Sequence, residues 1–425
     1  MQVYRSSILD FDTDGALRYL PDGLLFIENG KVKNLGHFDD LIHQASEQNI
    51  IDYRQNIIMP GFIDTHVHYP QVDVIASYGE QLLDWLNQYT FPTEESFKDP
   101  SIAEETAHFF INELLRNGTT SALVFASVHK TAVDAFFKVS ESYNTRMICG
   151  KVMMDRNAPD ALCDEAEQSY IESKALIEQW HDKGRQLYAV TPRFAITSTP
   201  EQLEYAGKLL KESPDVYLQT HLSENKDEIR FTMELYPDRE NYLDVYDHYG
   251  LLGKKSIFAH CVHLQESEYK RLAQTQSKIS FCPTSNLFLG SGLFDLQQSE
   301  QHDVATSVAT DVGAGTSFSL FRTLSEAYKI CQLNGQKLDA RKAFYMATLG
   351  NAKALSLDHL IGNFDVGKEA DFIVLDLEST PLLTRKYKKS DDLDELLFSL
   401  MMLADDRAIS RTYIMGECRY TKESE

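Results

Sequence analysis

The stretch Ile57-Ile58-Met59-Pro60-Gly61-Phe62-Ile63-Asp64-Thr65-His66-Val67-His68 decides how the rest of the chain is read. It is an apolar, strand-like run ending on two imidazoles two residues apart. Successive strand side chains point to opposite faces, so His66 and His68 share one face and can reach one metal ion. A bare His-x-His is a common accident. Here three further ligand-type residues also follow apolar, strand-like runs: His221 after Val216–Thr220, His260 after Ser256–Ala259, and Asp311 after Val304–Thr310. That recurrence turns the pair into an active-site hypothesis.

Working outward, eight short β-type runs fall at 57–66, 119–125, 146–154, 187–194, 216–221, 256–260, 278–283 and 303–311. Between most of them lie segments with helical periodicity, such as 102–118 and 201–212. Strand and helix alternating eight times predicts an α/β fold, a (β/α)8 TIM-type barrel, here over residues 58–361. The flanks differ. Residues 24–36 hold two β runs around Asn29-Gly30, a hairpin signal, and 361–379 and 411–420 hold further strands. Residues 1–57 with 362–425 are therefore expected to form a small composite β-sandwich domain from both chain ends. Helices near Arg322–Cys331 and Arg341–Leu355 should close the barrel, and the charged segment 386–397 should be a solvated loop leading into a helix.

Composition narrows the function class. The chain has 425 residues, enough for a large core and more than one domain, and 43% of them are hydrophobic. Net charge is -23, from 41 basic against 64 acidic groups. Such a field repels phosphate backbones and anionic lipid, which argues against nucleic-acid and membrane-surface partners and leaves a small-molecule substrate. Cys149, Cys163, Cys261, Cys282, Cys331 and Cys418 form no Cys-x-x-Cys pair, as expected in a reducing cytoplasm. Cys261 and Cys282 flank site segments but read as small buried hydrophobes, because histidines already supply the ligands. The opening residues show no secretory signal, and no apolar run approaches the roughly 20 residues of a spanning helix.

Three imidazoles and a carboxylate suit Zn²⁺, and Fe²⁺ accepts the same nitrogen-oxygen set. The site is expected to hold one ion. A second would need a bridging carboxylate, often a modified lysine, near the end of the fourth strand. That position reads Pro192-Arg193-Phe194, and a permanently protonated arginine is no ligand; Lys151, within the third run, is misplaced for the task. Expelling a leaving group would also need a proton carrier. Glu224, three residues past His221 in Thr220-His221-Leu222-Ser223-Glu224-Asn225, either fills that role or merely favours a helix first turn.

With these residues assembled, the chain resembles the amidohydrolase superfamily through 60–68, 219–225, 258–264, 309–311 and 362–376. Within it the chain is similar to the guanine deaminase family through 66–71, 82–94, 191–199 and 283–295. The resemblance implies hydrolysis of guanine to xanthine and ammonia by a cytoplasmic homodimer with one zinc per subunit. It implies that His66, His68, His221 and Asp311 hold the metal, that Glu224 shuttles protons, and that His260 and Asp311 orient water. It places Gln71, Arg193 and Phe194 against the purine, with His68, His221, Glu224 and Asp311 also facing it. Trp85, Tyr89 and Phe91 read as an aromatic lid over the mouth. His263, His129 and His108 read as a helix-start residue, a donor behind the site or a surface residue, and a structural residue, respectively. Two alternatives remain: a related deaminase acting on cytosine, adenine, a triazine or a pterin, and an inactive purine-binding barrel.

Overall fold

A computed structural model describes residues 1–45, 50–79 and 81–423. The long apolar run does not make one strand. It divides at Gly61 into β4 (Ile50–Pro60) and β5 (Phe62–His68), which belong to different sheets. Proline and glycine mark the break, and crowding makes the glycine necessary: a Cβ on Gly61 would lie 2.3 Å from the Thr120 side chain.

β1 (Gln2–Phe11), β2 (Leu17–Glu28), β3 (Lys31–His37) and β4 join strands from the far end of the chain in one mixed, seven-stranded sheet. Those partners are β14 (Phe372–Asp376), β15 (Ile409–Ile414) and β16 (Glu417–Thr421), and the order is β16-β15-β14-β4-β1-β2-β3. The β2–β3 hairpin turns through Asn29 and Gly30, at φ 53° and 76°, the left-handed pair that the Asn-Gly signal predicts.

The other sheet is the barrel. It runs β5, β6 (Thr119–Phe125), β7 (Arg146–Gly150), β9 (Leu187–Pro192), β10 (Tyr217–Leu222), β11 (Ser256–His260), β12 (Lys278–Phe281) and β13 (Thr306–Val308), every neighbouring pair parallel. The short β8 (Val152–Met153) pairs with β9 beyond a break at Lys151. The seam closes at its upper rim, where Asp311 N–H donates to His66 O at 2.9 Å and His68 N–H to Val312 O at 2.7 Å. Ile63, Leu123, Ile148, Ala189, Tyr217 and Ile257, one from each of six strands, pack into a buried cluster with Leu355, Leu357 and Ile361. The apolar floor is thereby filled, leaving the strand C-termini as the open end.

The expected closing helices are present as Leu320–Leu333 and a helical run from Ala340 to Ala354. Arg146 and Arg185, from the barrel, both donate to Glu369 Oε2 at 2.7 Å, and Arg185 also pairs with Asp371, next to β14. This buried network ties the barrel to the mixed sheet. Among the described residues, no helix is long and apolar enough to cross a membrane.

Candidate active site

Three strand ends deliver four ligand-type residues to one point. His66 and His68 close β5, His221 lies in β10, and Asp311 follows β13 by three residues at φ 52°. One donor atom from each lies within 4.8 Å of all the others. The Nε2 atoms of His66 and His68 are 3.2 Å apart, and those of His68 and His221 are 3.4 Å apart. Asp311 Oδ1 lies 3.2 Å from His66 Nε2 and 3.3 Å from His68 Nε2.

These separations fit a tetrahedral ion. Ligands at about 2.0–2.1 Å from Zn²⁺ stand roughly 3.3–3.4 Å from one another. The tautomers fit as well. His221 Nδ1 lies 2.7 Å from Arg193 O, so Nδ1–H donates to that carbonyl and Nε2 keeps its lone pair for a cation. Burial holds the His68 imidazole down at about 3, and removal from water also lowers His66 and His221. The rings are therefore neutral and ready to ligate. Burial pushes the Asp311 carboxyl up, but its close approach to the His66 and His68 Nε2 atoms outweighs burial and holds it well below the usual carboxylate range. Cys282 also comes within reach, yet burial holds its thiol well above the usual range, in keeping with an inert role. Lys151 is occupied elsewhere, paired with Asp164 and donating to Ser169 Oγ at 3.3 Å.

The cluster opens into a cavity lined by His68, Gln71, Arg193, Phe194, His221, Glu224, His260 and Asp311. Every site residue anticipated from sequence lies in this wall or, for His66, in the cluster at its base. His260 ends β11 at φ 70°, with Nδ1 2.9 Å from Asn286 Oδ1. Its Nε2 faces Glu224 Oε2 at 3.5 Å and Asp311 Oδ2 at 3.7 Å. Burial first, then the charge of Asp311, raises the Glu224 carboxyl to about 8; Ser291 Oγ donates to its Oε1 at 3.2 Å.

Several contributors were not anticipated. Glu94, fully buried, accepts from Gln71 Nε2 at 3.0 Å and from Arg193 Nη1 at 2.7 Å. Glu228 fixes the turn carrying Glu224 by accepting the Glu224 and Asn225 N–H groups at 2.8 and 3.0 Å. Asp64 accepts N–H groups from His66 and Thr310 at 3.3 and 3.1 Å, bracing the seam from below. The aromatic trio divides: Trp85 lines the cavity with Leu82 and Leu86, Phe91 faces the Arg193 guanidinium at 5.4 Å, and Tyr89 packs half-buried beside them. His263 and His129 are half-buried and outside the cluster, the former with Nε2 2.8 Å from Ser291 O, while His108 is an exposed helix residue.

These electrostatics have a measurable consequence for the metal-free protein. A carboxyl raised in the fold binds its proton more tightly than in the unfolded chain, so stability declines as pH rises from the ordinary value to the raised one. For Glu224 that window runs from 4.5 to about 8. In chelated protein, the melting temperature of Glu224→Gln minus that of wild type should grow through this window and level off above it. A difference independent of pH would show that Glu224 is not held protonated.

Residues 57–418 match the amidohydrolase family. The chain is 56% identical over 408 residues to the guanine deaminase of Escherichia coli (strain K12), covering 96% of this chain and 93% of that one. The solved structure of E. coli guanine deaminase superposes with a TM-score of 0.98 at 53% identity, with 100% of both chains covered. A guanine deaminase from C. acetobutylicum with bound guanine in its active site is 30% identical, with a TM-score of 0.89 over 99% of this chain and 100% of that one. The fold, the convergent strand ends and these likenesses agree: the chain belongs to the amidohydrolase family.

Proposed function

We propose that this chain hydrolyses guanine to xanthine and ammonia, with one Zn²⁺ per subunit held by His66, His68, His221 and Asp311. The observation that carries the reading is a ligand set of tetrahedral spacing opening into a cavity, in a chain 56% identical to a guanine deaminase. A divalent cation held there supplies Lewis-acid polarisation and lowers the pKa of water to about 7, giving a nucleophile at neutral pH.

The protein supplies placement and proton traffic. Glu224, raised to about 8, exchanges a proton close to neutral pH: it takes one from the attacking water and passes it to the departing nitrogen. His260, facing both Glu224 and Asp311, holds that water with Asp311. Addition at C2 pushes negative charge into the ring, towards the carbonyl at C6. Arg193 has N–H groups beyond the one given to Glu94, and one of them can bond that oxygen. Gln71 meets the purine edge through its remaining N–H and lone pair, and Phe194 lies against the base. His68, His221, Glu224 and Asp311 complete the wall facing the reacting carbon. We extend the proposal to a homodimer in the cytoplasm, as the family resemblance of the sequence implies.

The test is xanthine formation from guanine by purified protein, before and after chelation and after zinc return, with adenine and cytosine in parallel. Ammonia release from cytosine and none from guanine would overturn the assignment. Within this reading, Arg193→Ala should lower kcat/KM for guanine roughly 10- to 150-fold, or about 1.5–3 kcal/mol, for a lost charge-assisted contact. Unaltered guanine kinetics would mean that Arg193 does not read the base.

A further inference from the structure

The two side chains assigned to the base, Gln71 and Arg193, come from separate strand ends, and one carboxylate holds both. Glu94 Oε1 accepts from Gln71 Nε2 at 3.0 Å, and Glu94 Oε2 accepts from Arg193 Nη1 at 2.7 Å. On its other side, Gln71 Oε1 accepts from Gly313 N–H at 3.2 Å. The bonds converge on the carboxylate: Gly313 donates to Gln71, Gln71 donates to Glu94, and Arg193 donates to Glu94 from the other side. They therefore fix which end of the Gln71 amide is oxygen and which is nitrogen. The glycine is required at its end, since a Cβ on Gly313 would lie 2.5 Å from Gln71 O.

Glu94 is fully buried, and a buried carboxylate is retained only at a cost unless its partners answer both oxygens. It belongs to the short helix Phe91–Glu95, and the segment leading into that helix puts Leu82, Trp85 and Leu86 over the cavity. The apolar cover and the carboxylate that aims the readers are thus carried by one stretch of chain.

We propose that Glu94 is a positioning residue for substrate selection, holding Arg193 and Gln71 so that the cavity presents N–H donors to the carbonyl oxygen of a 6-oxopurine. This rests on the function proposed above. A base carrying a hydrogen, or a donor amino group, at that position gains nothing from the arrangement. Glutamine at position 94 cannot replace the carboxylate. Its single oxygen can stand at only one of the two acceptor positions, and its amide nitrogen at the other would oppose the donor of Gln71 or Arg193.

The test uses the zinc-loaded full-length protein and three variants: Glu94→Gln, Arg193→Ala and the double substitution. Metal content and melting temperature establish that each is folded and loaded. Guanine KM should rise at least tenfold in E94Q, with kcat changing less. Inhibition by hypoxanthine, which carries the 6-carbonyl, should weaken at least tenfold in E94Q, whereas inhibition by unsubstituted purine should change less than twofold. The double variant should be no worse than R193A alone, because with the guanidinium gone the amide oxygen at position 94 can still accept from Gln71 Nε2. Equal weakening of both inhibitors, unchanged hypoxanthine binding, or losses that multiply in the double variant would each overturn the role of Glu94. Absence of xanthine from the wild-type protein would instead defeat the underlying function, a result distinguishable from all three.

Discussion

Glu224→Gln should lower kcat for guanine at least 10²-fold, with the metal content of the wild-type protein and a smaller change in KM. The size follows from the loss of a positioned proton carrier, ordinarily worth 10² to 10⁴ in rate, or about 2.7–5.4 kcal/mol of barrier. The substitution is nearly isosteric, and the amide oxygen still accepts from Ser291 Oγ, now 3.2 Å from Oε1. Glu228 keeps the turn in place through the backbone N–H groups of residues 224 and 225, which the substitution leaves untouched. Glu224 lies outside the His66, His68, His221 and Asp311 set, so the cation should remain. Turnover within tenfold of wild type, at full metal content, would falsify the assignment of Glu224 as proton carrier.

Much of this site was legible in the sequence because barrel chemistry sits where strands end. His66, His68, His221 and His260 each terminate or nearly terminate an apolar run, and a period of two put the first pair on one face. Asp311 was found by the same rule, although β13 stops at Val308 and the residue is aimed by a left-handed turn rather than by strand geometry. The strand that opened the reading was placed too early. An unbroken apolar run conceals the switch between sheets at Gly61, which depends on the approach of Thr120, a neighbour 59 positions away in sequence.

Glu94 shows what pattern alone misses. In Thr93-Glu94-Glu95 two adjacent carboxylates look alike, yet Glu94 is buried and Glu95 is not. A signal existed: Phe91, Glu94 and Phe97 recur at intervals of three, and all are buried, so a charge occupies an apolar-face position. A carboxylate there is intelligible only once Arg193 and Gln71 are known to stand opposite. Likewise Asp64 and Glu228 act through backbone N–H groups, which no side-chain motif reveals.

Asp311→Asn is the sharpest test of the cation site and carries the largest expected effect. Asparagine has nearly the same shape and tolerates the left-handed backbone, φ 52°, that Asp311 adopts. The seam hydrogen bond from the residue 311 N–H to His66 O does not involve the side chain. What the substitution removes is the one negative charge among the ligands. Changes to groups behind a metal ligand already cost about 10–100-fold in affinity, so loss of an anionic ligand should cost at least that, and guanine turnover should fall below detection. The physical signature is thermal. Zinc held as proposed should stabilise wild type by mass action on the folded state, about 2.7 kcal/mol at a hundredfold excess over Kd, and D311N at the same zinc concentration should gain far less. Without metal the comparison should narrow or reverse, because wild type then buries a carboxylate whose intended counter-charge is missing. A variant that retains one tightly held ion per chain and the full zinc-induced rise in melting temperature would remove Asp311 from the ligand set, and with it the tetrahedral reading of the site.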